Sequence, residues 1–153
     1  MAGAFQATIE IEDAEIRRKL DELIRRGGDL SPALLEIGEV LLNSTRERFQ
    51  TEAGPDGQRW EENSLVTLAT KTNPKILSES GLLGGTIAPQ LIDGGRAVSV
   101  GSNRVYAAMM QFGGTRRDWP HLWGDIPART FLGFSDQDRE DVLDVLRDYL
   151  SDL

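Results

Sequence analysis

Cysteine is absent from this chain of 153 residues, and histidine occurs once, at His121. Without cysteine there is neither a disulfide nor a thiolate nucleophile, which fits a protein made in a cytoplasm. A single histidine excludes a multi-histidine zinc site and leaves a histidine-based triad without support. His121 lies in the loop "DWPHLWGD" with no partner motif around it, so a surface or packing role is predicted for it.

Long apolar runs are also absent. No stretch reaches the roughly eighteen apolar residues that a membrane-spanning helix needs. The opening "MAGAFQATIEIED" lacks a basic region followed by an apolar stretch, so no secretory signal is expected. The sequence therefore predicts no contact with a membrane.

Positive charge is scarce, with 17 Lys and Arg against 25 Asp and Glu and a net charge of −8. A protein that grips DNA through its phosphates usually has a basic surface, so no sequence-specific nucleic-acid binding is expected. Arg116 and Arg117 form a local basic pair, which we interpret as solvated loop residues.

Motifs that carry chemistry are missing as well. The acidic run "DQDRED" at 136–141 lacks the glycine and the glutamate of a calcium loop, so it is interpreted as capping charge at a helix start. The stretches "SGLLGG" and "DGG" lack the context of a phosphate-binding loop. Carboxylate pairs such as Glu61-Glu62 are expected by chance among so many acids. We assign no catalytic residue, no metal ligand and no cofactor.

The first half of the chain has clear periodicity. Residues 5–11 alternate as in a half-buried strand, and a helix follows Asp13 until Gly27-Gly28. Ser31-Pro32 predicts a second helix, with Ser31 as N-cap, that reaches Phe49 or Gln50. Its broad apolar face consists of Leu34, Leu35, Ile37, Leu41, Leu42, Thr45 and Phe49.

A turn and a tryptophan follow this helix. Pro55-Asp56-Gly57 predicts a tight turn, and the indole of Trp60 is expected to pin that loop to the body. Within 61–80, "NSLVTLATKT" is compatible with a short helix begun at Asn63 or Ser64, and "NPKILSESGLLGG" with a turn followed by an apolar patch.

The second half mixes strands and helices. Residues 86–92 and 96–101 predict two strands joined by "DGG", followed by a helix over 104–112 and a strand across 128–134. A last helix over 135–152 has Ser135 as cap and Asp138 in the capping-box position. The whole chain, 1–153, is predicted to be one α+β domain, in which a small, mostly antiparallel sheet packs with N-terminal helices and a C-terminal helix.

Two compact blocks stand out in this half: "RVYAAMMQFGG" (104–114) and "IPARTFLG" (126–133). Helical spacing predicts that Val105, Tyr106, Met109 and Phe112 anchor in the core against the strand 128–134. The alternative is that Tyr106 and Phe112, with Met109 or Met110, line a ligand pocket, but methionine beside aromatics is more often core. Gly113-Gly114 is expected to release the chain into a loop over 115–125.

Two features near these blocks suggest interactions. Arg129 is expected to be buried and paired with an acid of the C-terminal helix, so that Arg129→Ala would markedly lower thermal stability, by about 3–5 kcal/mol for a buried pair. Trp119 and Trp123 lie in a charged loop with no periodic face to join. They are either an interaction hot spot or a pair that folds back onto the body.

The order of these blocks resembles the Mu-like phage virion morphogenesis family, also called phage tail completion proteins, over roughly residues 31–150. The similar pieces are "LLEIGEVLLNSTRERFQTEAGPDGQRWEENSLVTL", "ILSESGLLGGTI", "VGSNRVYAAMMQFGG" and "IPARTFLGFSDQD". The resemblance places motif residues at Tyr106, Gln111, Phe112, Gly113, Gly114, Arg129 and Phe131. Departures are Met110 in place of a histidine, Thr130 in place of a proline, and Gly84-Gly85 in place of an arginine.

The resemblance implies a structural assembly protein without catalytic activity, which completes the tail or joins head and tail. Related neck and tail-terminating proteins form rings, often hexameric, so self-association and contacts with tail tube or neck proteins are expected. A ring subunit needs two unlike surfaces that fit each other. The resemblance also implies that the protein lies in the host cytoplasm during assembly and afterwards in the virion. An acidic balance would suit a channel through which DNA slides.

Two other functions stay open at the level of sequence. A small phage-borne hydrolase would need two carboxylates that converge in a cleft. An acidic adaptor would bind a host protein through Trp119 and Trp123.

Overall fold

The computed structural model describes residues 14–64, 76–77, 82–104, 106–120, 122 and 124–152. Its elements are helices and one hairpin: α1 (Ala14–Arg25), α2 (Ser31–Thr51), α3 (Leu82–Gly85), β1 (Ala88–Ile92), β2 (Ala97–Gly101), α4 (Ala107–Phe112) and α5 (Asp136–Ser151). The predicted α+β class is confirmed. The predicted strand 5–11 and nearly all of the predicted helix after Asn63 or Ser64 lie outside the described residues.

Helix α2 has the predicted extent but a different start. Leu30, not Ser31, occupies the N-cap position, and Ser31 is already helical. The prediction of a serine cap was wrong because an acceptor lies further upstream: Asp29 Oδ1 accepts the Ser31 N–H at 2.9 Å. This hydrogen bond lowers the pKa of the Asp29 carboxyl. The helix ends at Thr51, and its C-cap, Glu52, adopts a left-handed conformation with φ 55°.

The first half of α2 packs with α1 and α5 in a helical cluster. The buried side chains recur at helical spacing and comprise Ala33, Ile37, Val142, Val145, Leu146 and Leu150. Leu20 and Leu23 of α1 pack against them. Helix α5 starts with the predicted capping box between Ser135 and Asp138, and near its end the Tyr149 hydroxyl donates to the Asp29 carbonyl. Because the end of α5 lies beside the start of α2, the two helices run antiparallel.

The β1–β2 hairpin covers another face of α2. The strands pair antiparallel from Ala88 opposite Gly101 to Ile92 opposite Ala97. Asp93-Gly94-Gly95 turns the chain as predicted, with all three residues at positive φ. Gly38 of α2 allows the hairpin to approach, since a Cβ there would lie 2.8 Å from Pro89 Cβ. Among the described residues, this two-stranded hairpin is the one sheet.

The second half of α2 contributes to a different cluster. Its buried members are Leu42, Phe49, Trp60, Ile76, Leu83, Ile87, Ala107, Phe131 and Leu132. The ring of Phe49 meets Trp60 edge-on, with centroids 5.5 Å apart, and lies 5.6 Å from Phe131. As predicted, Trp60 is buried and closes the turn at Pro55.

The predicted strand 128–134 was wrong. Residues 128–131 are neither helix nor strand, and 132–133 form a bend. Next to them, Gly114 and Ile126 form only an isolated antiparallel bridge. Side chains and the Met110 carbonyl, rather than a neighbouring strand, satisfy the backbone of this segment.

Candidate assembly interface

Gln111 holds the two sequence blocks together. Its amide is buried on the inner face of α4. Nε2 donates to the Leu132 carbonyl at 3.0 Å, while Oε1 accepts the N–H groups of Phe131 and Leu132, each at 3.0 Å. One side chain thus makes the hydrogen bonds that a partner strand would make. We call residues 129–133 the clamped segment.

Other groups complete the backbone hydrogen bonds of the clamped segment. The Met110 carbonyl accepts the Arg129 N–H at 2.9 Å, and the Trp60 indole donates to the Thr130 carbonyl at 2.8 Å. Arg48 Nη1 donates to the carbonyls of Phe131 at 2.8 Å and Gly133 at 3.2 Å. Because these polar groups are paired, Phe131 can be fully buried, with 0% of its surface exposed.

Arg48 also joins the clamped segment to helix α5. Its Nη2 lies 2.5 Å from Asp138 Oδ2, and both side chains are almost wholly buried. Burial lowers the pKa of the Arg48 guanidinium, and the charge of Asp138 opposes that effect. The same carboxylate accepts the Ser135 N–H of the helix cap at 2.9 Å. Asp138 is therefore both a cap and the partner of a buried cation.

Sequence reasoning missed this pair, although a signal was present. Arg48 follows Thr45 by three residues and Leu41 by seven, so it lies on the apolar face of α2. A cation on such a face predicts a buried partner. Asp138 was recognised only as capping charge.

Arg129 is buried as predicted, with 8% of its surface exposed, but its predicted partner was wrong. The guanidinium donates to the backbone carbonyls of Glu61 at 2.8 Å and Glu62 at 3.1 Å. Burial lowers the pKa of the Arg129 guanidinium, and the charge of Glu61 opposes that effect. The acid of the C-terminal helix pairs with Arg48 instead, because that residue reaches the first turn of α5 from the end of α2.

Helix α4 ends before Gly113, and Gly113-Gly114 begins the following loop, as predicted. Gly113 has φ 72°, and a Cβ on it would lie 2.6 Å from the Ile126 carbonyl oxygen. Gly114 and Ile126 exchange backbone hydrogen bonds of 2.9 and 2.7 Å. Beyond them, Asp125 Oδ1 accepts the Arg116 N–H at 2.8 Å, which closes the loop at its base.

The outer face of α4 differs from the prediction. Tyr106 is 38% exposed and Phe112 is 57% exposed, so neither anchors in the core. The inward positions are taken by Ala107 and Gln111, four residues apart, which turns Phe112 outward. Met109 is half-buried and Met110 packs against the second cluster. Val105 lies outside the described residues.

Trp119 is 49% exposed in the loop after Gly114. It lines a shallow depression of about 480 Å³ together with Phe112, Ile126 and Pro127. Three carboxylate residues, Glu61, Asp118 and Asp125, also line it. We call this site the Phe112–Trp119 depression. Trp123 and His121, expected beside it, lie outside the described residues.

An apolar floor with carboxylates suits an apolar side chain that is accompanied by cations. Within the described part of the chain, no three His, Asp or Glu side chains lie close enough together to hold a metal ion. Among the same residues, no helix is long and apolar enough to cross a membrane. Exposed aromatic residues on a rigid support are typical of proteins that act by binding other proteins.

Comparison with known proteins defines the family. The sequence pattern of the Phage virion morphogenesis family matches residues 11–151, so the chain belongs to that family and is a structural protein of phage assembly. It is 34% identical over 152 residues to the "Putative capsid assembly protein G" of Escherichia phage Mu, covering 97% of this chain and 96% of that protein. It is 27% identical over 142 residues to the "Mu-like prophage FluMu G protein 2" of Haemophilus influenzae, covering 92% and 94%. No solved structure matches the chain.

Proposed function

We propose that this protein completes the tail or joins head to tail during virion assembly, as a subunit of a ring. The observation that carries the proposal is family membership across almost the whole chain. The exposed Phe112 and Trp119 support it, because aromatic residues at the surface are what a binding site between proteins needs. The binding partners are other copies of the chain and the tail tube or neck proteins.

The roles proposed for the motif residues divide between support and contact. Gln111, Gly113, Gly114, Arg129 and Phe131 hold the site in shape through buried contacts. Tyr106, Phe112 and Trp119 are exposed and make the contacts. The protein acts without breaking a covalent bond, first in the host cytoplasm and then in the virion.

Sedimentation velocity over a wide concentration range, with and without purified tail tubes, tests the proposal. We expect a concentration-dependent oligomer or co-sedimentation with the tubes. Immunodetection in purified virions is expected to place the protein at the tail or neck. A chain that stays monomeric at every concentration and never binds tails would contradict the proposal.

A hydrolase is the second candidate, because Glu61, Asp118 and Asp125 all line the Phe112–Trp119 depression. Two of these acids already serve the loop: Asp125 accepts the Arg116 N–H and Asp118 accepts the Thr115 hydroxyl at 3.1 Å. Turnover of cell-wall polysaccharide or peptide that disappears in the Glu61→Gln variant would establish the hydrolase. Absence of turnover in the unmodified protein would support the assembly function.

A further inference from the structure

The end of helix α1 is an exposed apolar and basic patch in an otherwise acidic chain. Ile24 is 60% exposed, and Arg25 and Arg26 follow it directly. Residues 14–26 contain five Lys or Arg against three Asp or Glu, the reverse of the balance in the whole chain. Arg25 and Arg26 are both exposed. The α1 tip, defined as Ile24, Arg25 and Arg26, therefore offers an isoleucine beside the Arg25 guanidinium, whereas the Arg26 guanidinium already pairs with Glu22 at 2.6 Å.

The Phe112–Trp119 depression has the complementary character. Its apolar residues include Phe112 and Trp119, and its carboxylates come from Glu61, Asp118 and Asp125. An isoleucine side chain can lie against the aromatic rings while Arg25 faces Glu61 at the rim. Asp118 and Asp125 each accept one hydrogen bond from their own loop and add negative charge to that rim. Because Ile24 is largely exposed, the α1 tip does not fill the depression of its own chain.

The two patches belong to different parts of the protein. Leu20 and Leu23 anchor α1 in the helical cluster, whereas Phe112 and Trp119 lie beside the clamped segment, next to the second cluster. Two unlike patches that fit each other give a head-to-tail contact, and repeated head-to-tail contacts close into a ring or continue as a filament.

We propose that the α1 tip of one copy binds the Phe112–Trp119 depression of the next copy. This inference rests on the proposed function, since it names the contact that builds the ring. The rim ion pairs are exposed, so association is expected to weaken as salt concentration rises.

A mixing experiment tests this contact. The Ile24→Glu/Arg25→Glu variant loses the α1 tip but keeps the depression, and the Phe112→Ala/Trp119→Ala variant does the reverse. Each alone is expected to lose at least tenfold in self-association, while an equimolar mixture forms a 1:1 dimer and nothing larger. Leu35→Ala, which alters a residue 49% exposed on α2, is the control and is expected to associate like the unmodified protein.

If a double variant fails to fold, reversing the charges of one proposed ion pair provides a second test. Arg25→Glu and Glu61→Lys alter exposed residues, and each is expected to weaken association severalfold. Combining them in one chain is expected to restore it, because every contact then carries the reversed pair.

Two results would overturn the inference: folded variants that associate as well as the unmodified protein, or a mixture of folded variants that yields no dimer. If the unmodified protein associates in either case, the proposed function stands and only this contact is wrong. If the unmodified protein neither associates nor binds tail tubes, the proposed function fails with it.

Discussion

Helix α2 supports two halves of the molecule that are stabilised in different ways. Its first half packs with α1 and α5 through apolar side chains at helical spacing, such as Ile37 and Leu146. Its second half packs around the clamped segment, whose backbone is bonded by the side chains of Arg48, Trp60 and Gln111. The helical half depends on apolar volume, whereas the clamped half depends on individual donors and acceptors.

The largest effect is expected for Arg48→Ala. Truncation leaves the Asp138 carboxylate and the carbonyls of Phe131 and Gly133 buried without their donor. The free energy of unfolding should fall by about 3–5 kcal/mol, measured from the midpoint of urea denaturation. Arg46→Ala, at an exposed position of the same helix, should change it by less than about 0.5 kcal/mol. A loss below about 1 kcal/mol for Arg48→Ala would show that the pair contributes little.

The Gln111→Leu variant separates the contribution of side-chain volume to stability from that of hydrogen bonding. Leucine fills a similar volume but leaves two N–H groups and one carbonyl of the clamped segment without a partner. We expect a loss of about 3 kcal/mol in chemical denaturation. Gln58→Ala, at an exposed turn position, serves as the control. If Gln111→Leu were neutral, the clamped half would depend on apolar volume like the helical half, and the comparison would fail.

Arg129→Ala is expected to cost about 2 kcal/mol, less than Arg48→Ala. Its partners are neutral carbonyls. Because Glu61 and Glu62 are exposed, their carbonyls can turn toward water when the guanidinium is removed. The melting temperature should therefore still fall clearly. An unchanged melting temperature would mean that the carbonyls find other donors at no cost.

Much of the helical half could be predicted from sequence because the helical period and the cap of α5 carry the information, although the predicted cap of α2 was wrong. The apolar face of α2 was predicted apart from Leu35, which is 49% exposed. The Ser135–Asp138 capping box and the Asp93–Gly95 hairpin turn agree with their predictions. Local spacing sets these features, so no knowledge of distant residues was needed.

The clamped half could not be predicted in the same way because its bonds join residues far apart in the chain. Arg48 and Phe131 are separated by 83 positions, and extended residues look like a strand whether a strand or a side chain satisfies them. The outward turn of Phe112 has the same origin, since the inward position went to a glutamine that bonds the other block. The exposure of Phe112 therefore depends on a contact between distant residues.

The smallest effect is expected in the helical half, for Leu146→Met. The Leu146 side chain is buried among apolar neighbours, and its contribution comes from apolar volume rather than from hydrogen bonds. A volume-conserving exchange should cost less than about 1.5 kcal/mol in the same urea denaturation assay. A loss as large as that of Gln111→Leu would show that the helical half is as demanding of particular atoms as the clamped half.

Assembly through the Phe112–Trp119 depression is the central claim, and complementation of a phage that lacks this gene tests it most directly. The Phe112→Ala/Trp119→Ala variant should fold with a normal melting curve yet reduce the yield of infectious particles at least tenfold, while Leu35→Ala complements fully. Normal particle yield from the folded variant would contradict the claim. If that normal yield came with loss of binding to a host protein, Trp119 would belong to an adaptor surface instead.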